Sequence, residues 1–142
     1  MPTLFTKIIE GDIPGRFVWR QDDVVAFLTI NPITPGHTLV VPVAEVDHWL
    51  DLDPVLAARC FDVAQVIGQA QMAAFSPTRI GLIIAGLEVP HTHLHLIPID
   101  SESDLSFAKA DPNPTPDALD QAAERLRATL RSAGHGASVP SA

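Results

Sequence analysis

"VPHTHLHLIPI", residues 89–99, places histidines at positions 91, 93 and 95, each separated from the next by one residue. Alternate side chains of a β-strand point to the same face of a sheet, so this spacing predicts His91, His93 and His95 on one face. Leu94 and Leu96 then point to the other face, toward a hydrophobic core. The segment therefore predicts both a strand of the central sheet and the candidate functional site.

Three interpretations of the aligned imidazoles follow from their chemistry. They could be polar residues on a solvated face, although such a face more often carries Lys, Glu or Thr. They could be metal ligands, because His-x-His is a common zinc-binding step, but such a site needs a further ligand, and the one cysteine, Cys60, falls on the apolar stripe of a predicted helix. They could also be catalytic, with one imidazole as nucleophile and its neighbours orienting it and moving protons. This third interpretation is favoured and suits phosphoryl or nucleotidyl transfer.

The rest of the chain predicts an α+β fold with a sheet of about five mainly antiparallel strands. β-branched and aromatic residues indicate strands, and a helical apolar period behind Asp53 and Pro54 indicates the main helix. The predicted strands are 17–20, 24–30, 36–43, 79–87 and the histidine segment, and the predicted helices are 54–75 and an appended 117–133. A proline-rich linker precedes the last helix, and the final residues read as a frayed tail.

Composition excludes several classes of protein. The chain has 142 residues, of which 46% are hydrophobic and 18% charged, as expected for one globular domain. It shows neither an apolar run long enough for a membrane span nor the features of a signal peptide, so a cytoplasmic location without membrane attachment is expected. The net charge of −8 and the lack of a basic stripe argue against nucleic acid as a partner.

The segment "HTHLHLIP" resembles the signature of the histidine triad (HIT) superfamily of nucleotide hydrolases and transferases. That signature alternates histidine with apolar residues, whereas Thr92 is polar. "KIIEGDIPGR", "DDVVAFLTINPITPGHTLVVP" and the long helix follow in the family's order, so the resemblance covers residues 3–99. It is closest to an actinobacterial subgroup of the Hint-type branch. It implies a HIT-like fold with a HIT domain at 1–105 and a C-terminal extension at 106–142.

The resemblance also implies an activity and its residues. His93 would be the nucleophile that attacks the phosphorus of a nucleoside 5'-phosphoramidate or related ester, and water would then hydrolyse the nucleotidyl-histidine. His95 would contact the phosphate and the leaving group, His91 would support the cluster, and His37 would join it from a neighbouring strand. The partners implied are a purine nucleotide or nucleoside phosphoramidate and a second copy of the chain, with no cofactor and no metal. The segment after the triad is expected to reach across such a dimer.

The resemblance further implies a nucleotide pocket between the first hairpin and the loop that follows it. Each apolar position in this set would fit a hydrophobic core equally well. The matching positions are Phe5, Ile8, Ile13, Phe27, Leu28, Thr29 and Ile30.

The chain departs from the family pattern at several positions. Thr3 and Thr6 replace a Cys-x-x-Cys pair, so a structural zinc is not expected. Thr29 replaces a ribose-binding acid and offers one hydroxyl in place of a carboxylate. Glu45 replaces a second histidine, for which His48 could compensate. Thr29, Glu45 and Glu88 keep open a nucleotide-binding protein with weak or no turnover, and the histidines as metal ligands keep open a metal-dependent hydrolase.

Glu88 is a further departure, because the family places a hydroxyl donor to the phosphate at this position. A carboxylate beside a phosphate is repulsive. Glu88 therefore turns away, is protonated, or recognises a cationic leaving group.

Overall fold

The computed structural model describes residues 1–141 and confirms the α+β architecture, with one long helix and an appended C-terminal helix. Its five strands form one antiparallel sheet in the order β1-β2-β3-β5-β4. The strands are β1 (Phe17–Arg20), β2 (Val24–Leu28), β3 (Thr38–Pro42), β4 (Arg79–Ile83) and β5 (Leu94–Ile99), and the helices are α1 (Leu4–Glu10), α2 (Pro54–Phe75) and α3 (Pro116–Ser132). Short 3-10 turns lie at Trp49–Asp51, Glu102–Asp104, Phe107–Lys109 and Gly136–Ser138. Within residues 1–141, no helix combines the length and apolarity needed to cross a bilayer.

The two faces of the sheet bury separate clusters, because successive side chains of a strand alternate in direction. The face under α2 and α3 carries the larger cluster, and the face under α1 carries the smaller one. The larger includes Val24, Ala26, Leu28, Val40, Leu94, Leu96, Cys60, Val63, Ile67, Ala123, Leu126 and Leu130. The smaller comprises Phe5, Phe17, Val25, Phe27, Leu39 and Val41. Leu94 and Leu96 thus enter the core as predicted, and His95 between them faces α1.

Cys60 occupies the buried stripe of α2, as predicted for a core residue. Its side chain is 1% exposed. Burial raises the pKa of its thiol to about 11, so the reactive thiolate is scarce at neutral pH.

Helix α1 is an element that the sequence pattern did not reveal. The Thr3 hydroxyl accepts a hydrogen bond from the Thr6 N–H at 3.1 Å and so caps its first turn. Gly11 ends the helix with a φ of +89°, a conformation that glycine adopts without strain. Seven residues span about two turns, too few to show a clear helical period.

Four predicted strands had wrong boundaries. The second ends at Leu28 instead of residue 30, the third spans Thr38–Pro42 instead of 36–43, the fourth ends at Ile83 instead of residue 87, and the histidine strand begins only at Leu94. Most of these errors assigned turn or loop residues to a strand because they are apolar or β-branched.

The C-terminal part of the chain is more ordered than the sequence predicted. Helix α3 packs against α2 and β1 of its own chain and contributes to the larger cluster. The predicted frayed tail is held in place instead: the Gln21 side-chain amide donates to Ser138 Oγ at 3.2 Å, and Arg131 donates to the Pro140 carbonyl at 2.9 Å. Residue 142, the end of that predicted tail, lies outside the described residues.

Candidate active site

Four aromatic rings form a row on the α1 face of the sheet. The ring centroids of Phe5 and His93 are 4.8 Å apart, those of His93 and His95 are 4.9 Å apart, and those of His95 and Phe107 are 4.9 Å apart. His37 on the neighbouring chain segment lies beside His95, with 5.2 Å between ring centroids. The structure therefore brings together three of the four histidines that the sequence assigned to the site.

His93 is held through one ring nitrogen and free at the other. Its Nδ1 lies 2.7 Å from the His91 carbonyl oxygen, which can only accept, so Nδ1 carries the proton and donates. In the neutral ring, Nε2 is then an unprotonated lone pair. Within residues 1–141, no group forms a hydrogen bond with Nε2, so its lone pair is unengaged. Burial lowers the pKa of His93, although the charge of Glu88 partly opposes this shift.

A backbone amide fixes the tautomers of His37 and His95. The Ile33 N–H donates to His37 Nδ1 at 3.0 Å, so the proton of neutral His37 is on Nε2. His37 Nε2 then donates to His95 Nδ1, 3.0 Å away, which leaves the His95 proton on its own Nε2. Burial, with the neighbouring His95, lowers the pKa of His37 to about 3, and burial with the neighbouring His93 lowers that of His95 to about 4. Near neutral pH the site thus combines an acceptor on His93 with a donor on His95.

His91 packs against Phe5 on the α1 face, as His93 does, but its ring is not part of the row. It is fully buried, its Nε2–H donates to the Pro42 carbonyl at 2.7 Å, and its Nδ1 accepts from the Thr3 hydroxyl at 2.7 Å. The reason is a tight turn, in which the His91 N–H bonds the Val89 carbonyl at 2.8 Å before the strand begins. Its functional atom is its carbonyl oxygen, which orients His93.

Thr92, the polar residue within the signature, is explained by the same turn. Its N–H and its hydroxyl both donate to the Val46 carbonyl, at 2.7 and 2.8 Å. The side chain is 1% exposed. An apolar residue here would make only one of these two bonds, so Thr92 ties the triad turn to the loop after β3.

One hydrogen-bonded network connects Thr3, Thr6 and Glu45. At each of these positions the chain lacks the residue that the family pattern has. Glu45 Oε1 accepts from the Thr3 N–H at 2.8 Å, and hydrogen bonds from the Thr6 hydroxyl and the Thr3 N–H lower the pKa of Glu45. The Thr3 hydroxyl continues the network to His91. His48 does not join it, because its Nδ1 accepts from the Leu50 N–H on an exposed turn.

Replacing Thr3 with valine tests whether this network supports the triad. Thr115 provides a matched control, because its hydroxyl caps α3 by accepting from the Ala118 N–H at 3.2 Å and contacts no histidine. Loss of either cap is expected to lower the free energy of unfolding by about 1 kcal/mol, measured by urea denaturation. Only Thr3→Val is expected also to lower the rate of hydrolysis of an adenosine 5'-phosphoramidate, roughly tenfold, because His91 loses a hydrogen-bond partner. Equal turnover in the two variants would contradict a positioning role for Thr3.

The family of the chain follows from this framework and its sequence. A model of the HIT domain matches residues 10–102, a stretch that contains all five strands and the four histidines described above. The chain belongs to the HIT family. Among its relatives, an uncharacterised HIT-like protein of Borreliella burgdorferi is 36% identical over 76% of this chain and 83% of its own length. An adenylylsulfatase of Arabidopsis thaliana is 30% identical over 90% of this chain and 67% of its own.

The three-dimensional comparison agrees. A HIT-like protein involved in cell-cycle regulation from Bartonella henselae superposes with a TM-score of 0.77 and 30% identity, over 89% of this chain and 95% of that one. The match extends beyond the HIT model at residues 10–102, so it includes part of the C-terminal extension or of α1.

Several residues predicted for the nucleotide pocket of this HIT domain do border the triad. Phe5 packs edge to face on both His91 and His93, and its centroid is 5.5 Å from that of Phe27. Ile8 packs against the same cluster. Phe5 and Phe27 are almost fully buried, so they form the floor beside His93. Ile30, in contrast, is 68% exposed.

Leu28 was wrongly grouped with Phe27, because adjacent residues of a strand point to opposite faces. Leu28 belongs to the cluster under α2 and α3 and lines a cavity of about 300 Å³ between the β2–β3 loop and α3. Thr29 borders the same cavity, and its hydroxyl accepts from the Asn31 N–H at 3.3 Å. Neither residue joins the row of rings. Ile13 is half-buried in the loop after α1.

Glu88 is exposed in the loop between β4 and the triad turn. It makes no hydrogen bond or ion pair with the described part of the chain, although its charge acts on His93. Within residues 1–141, no group of three His, Cys, Asp or Glu side chains is arranged to hold a metal ion.

Two residues at this HIT site were missed entirely. Phe107 lies in a polar, proline-rich stretch that was predicted to be a linker. The only feature that could have indicated its role is that it is a lone aromatic residue in such a stretch. Gln71 stood on the apolar stripe of α2. Its side-chain amide donates to the Gly36 carbonyl at 2.9 Å and to the Leu96 carbonyl at 3.0 Å, next to His37 and His95.

Proposed function

We propose that this HIT-family protein is a nucleotidyl hydrolase that cleaves a nucleoside 5'-phosphoramidate or a related nucleotidyl ester through an intermediate on His93. The observation that carries the proposal is the state of His93: Nδ1 donates to a carbonyl at 2.7 Å, so neutral Nε2 is a free nucleophile. A polar residue on a solvated face has no need of such a fixed tautomer.

The reaction proceeds in two displacements. The Nε2 lone pair of His93 forms a bond to phosphorus while the bond from phosphorus to the leaving nitrogen or oxygen breaks. Water then attacks phosphorus and breaks the bond to Nε2, which releases the nucleoside monophosphate and restores His93. The leaving group takes up a proton from solvent in the first step, and the attacking water returns a proton to solvent in the second, so the net change adds a hydroxyl to phosphorus and a proton to the leaving group.

His95 supports both displacements as a hydrogen-bond donor. Its Nε2–H stands beside His93 and can donate to a phosphate oxygen, where negative charge builds up in the transition state. Its fixed tautomer, set through His37 and the Ile33 amide, means that no reorientation is needed at that moment.

The nucleoside end of the substrate belongs on the α1 side of the row. Phe5 and Phe27 provide an apolar floor there, Ile8 lies on α1, and Ile13 lies in the loop after it. These residues suit the flat, largely apolar faces of a purine base. Glu88 stands at the loop edge of the site.

The proposal predicts release of adenosine monophosphate from an adenosine 5'-phosphoramidate by the wild-type protein, with no loss of rate in the presence of a chelator. Chromatography of the products measures both.

The replacement at Thr29 and the acidic Glu88 favour a second candidate, a nucleotide-binding protein with little turnover. Binding of adenosine monophosphate without turnover would support that candidate, and loss of turnover with chelator would support a metal-dependent hydrolase.

We also propose that the protein is a homodimer. Strand β4 lies at the edge of the sheet, and exposed apolar residues surround it, with Leu82 40%, Met72 40% and Phe61 47% exposed. An edge strand with apolar neighbours suits pairing with the same strand of a second copy. Light scattering is expected to give twice the 15.2 kDa of one chain.

Replacing Leu82 with arginine tests this arrangement. The added charge is expected to return the protein to the mass of one chain, because it cannot be buried unpaired in an apolar interface. Leu50→Arg is the control, since Leu50 is 67% exposed on the turn after β3. A single-chain mass for the wild-type protein would contradict the proposal.

A further inference from the structure

Phe107 contacts the catalytic cluster from the C-terminal extension. Its ring lies edge to face on His95 with 4.9 Å between centroids, and 48% of the residue remains exposed. Isolated exposed apolar residues are common on protein surfaces. Phe107, however, contacts His95, the imidazole whose N–H donates to the phosphate in the proposed reaction. The exposed face of Phe107 therefore borders the opening of the site.

Residues 100–111 form an arch that holds Phe107 in place from both ends. At the start, the Thr78 N–H and hydroxyl both donate to Asp100 Oδ1 at 2.9 Å. At the end, the Asp111 N–H donates to the Pro32 carbonyl at 2.9 Å, and the Asn31 side-chain amide donates to the Asp111 carbonyl at 3.0 Å. The arch is therefore anchored to the strand end and to the β2–β3 loop.

Two contacts within the arch complete this anchoring. Asp104 Oδ2 accepts from the Asp100 N–H at 2.9 Å and from the Ser101 N–H at 3.1 Å. Leu105 packs so closely over Gly81 that a Cβ added there would lie 2.6 Å from its side chain. The 3-10 turn that carries Phe107 follows immediately, so the position of the ring is set by a fixed backbone.

The order of the rings places Phe107 on the leaving-group side. The row runs from Phe5 through His93 and His95 to Phe107. Under the proposed function, the nucleoside lies at the Phe5 end of the row and the His95 N–H donates to the phosphate. The remaining substituent of phosphorus, the leaving group, then lies toward the other end of the row, where the exposed face of Phe107 is available to it.

The charges around the mouth disfavour an anionic leaving group. Lys109, the cation of the same turn, is paired with Asp104 at 3.5 Å. Glu88, whose charge acts on His93, is exposed in the loop before the triad turn, and Asp111 is exposed at the end of the arch. Carboxylates repel polyphosphate or sulfate, whereas an uncharged aromatic group avoids this cost and gains contact with the ring.

We propose that Phe107 is a specificity-determining residue that packs against the leaving group, and that the preferred substrates are nucleoside 5'-phosphoramidates of alkylamines that carry an aromatic group. The inference rests on the proposed function of the His93 site. The aromatic group of the amine lies against the exposed face of Phe107, while the phosphorus-linked nitrogen lies at His95.

Two adenosine 5'-phosphoramidates test the inference, one of 2-phenylethylamine and one of ethylamine, which differ only in the phenyl ring. The wild-type protein is expected to show a higher kcat/KM for the phenylethyl compound. Phe107→Ala is expected to lower that kcat/KM about three- to tenfold more than it lowers the kcat/KM for the ethyl compound. Phe107→Trp, which keeps an aromatic face, is expected to retain the preference.

Lys109→Ala is the matched control, because Lys109 lies on the same turn and its side chain is also 48% exposed. It is expected to keep the wild-type selectivity. An equal loss with both substrates in Phe107→Ala would overturn the inference, since Phe107 would then act only by positioning His95, and no loss with either would overturn it as well. Failure of the wild-type protein to cleave either compound would contradict the proposed function itself and the inference with it.

Discussion

Replacing His93 with alanine is expected to lower kcat/KM for an adenosine 5'-phosphoramidate by about 10⁴-fold, because no other group can form the bond to phosphorus. His95 cannot replace it, since the Ile33 amide and His37 keep the His95 proton on Nε2, the nitrogen that faces the site. The measurement is the initial rate of nucleoside monophosphate release. Rapid acid quench and peptide mass spectrometry of the wild-type protein should locate the nucleotidyl group on the peptide that contains His93.

His48→Ala is the control for this variant. His48 is an exposed histidine that caps a turn through the Leu50 N–H and touches none of the clustered rings. It should keep wild-type turnover. Binding of adenosine monophosphate to His93→Ala, measured by calorimetry, should remain within a few-fold of the wild type, because the Phe5 and Phe27 floor is unchanged. Activity of His93→Ala within tenfold of the wild type would contradict a covalent role for His93.

The sequence predicted the elements whose pattern is local and repeated. Leu94 and Leu96 enter the core because a two-residue period determines the faces of a strand, and α2 begins at Pro54 as its apolar period indicates, although the Asp53 side chain makes no capping hydrogen bond. His37 was placed correctly beside the triad by the family resemblance, and the 3.0 Å contact with His95 agrees with it. Local periodicity and a specific motif together therefore define most of the framework.

The remaining features depend on contacts between distant parts of the chain. The inward turn of His91 needs Thr3, 88 positions away in sequence, and the tautomer of His95 needs the Ile33 amide. Phe107 reaches the site through an arch whose anchors at Thr78 and Asn31 come from other elements. None of these contacts has a periodic signal, so no pattern in the sequence indicates them.

Replacing His95 with asparagine is expected to lower kcat/KM by about 10²- to 10³-fold, the cost of losing one donor to a developing oxyanion. The asparagine amide can take the place of Nδ1 and keep the contact with His37, but it is too short to present a donor where Nε2–H lies. The loss should fall mainly on kcat, because the donor matters most when charge builds up on phosphate. A loss of less than about fivefold would contradict the role of His95 as a donor.

The pH profile separates the two histidines. His93 attacks in its neutral form, and its pKa is lowered from 6.5, so wild-type kcat/KM should rise with pH and reach a plateau with a midpoint below 6.5. The pKa of His95 is lowered to about 4, so His95 stays neutral near pH 7. Its titration therefore adds no second change of rate near neutral pH. His95→Asn should therefore lower the plateau and leave the midpoint nearly where it is. A large shift of the midpoint in this variant would assign the rising limb to deprotonation of His95 instead of His93.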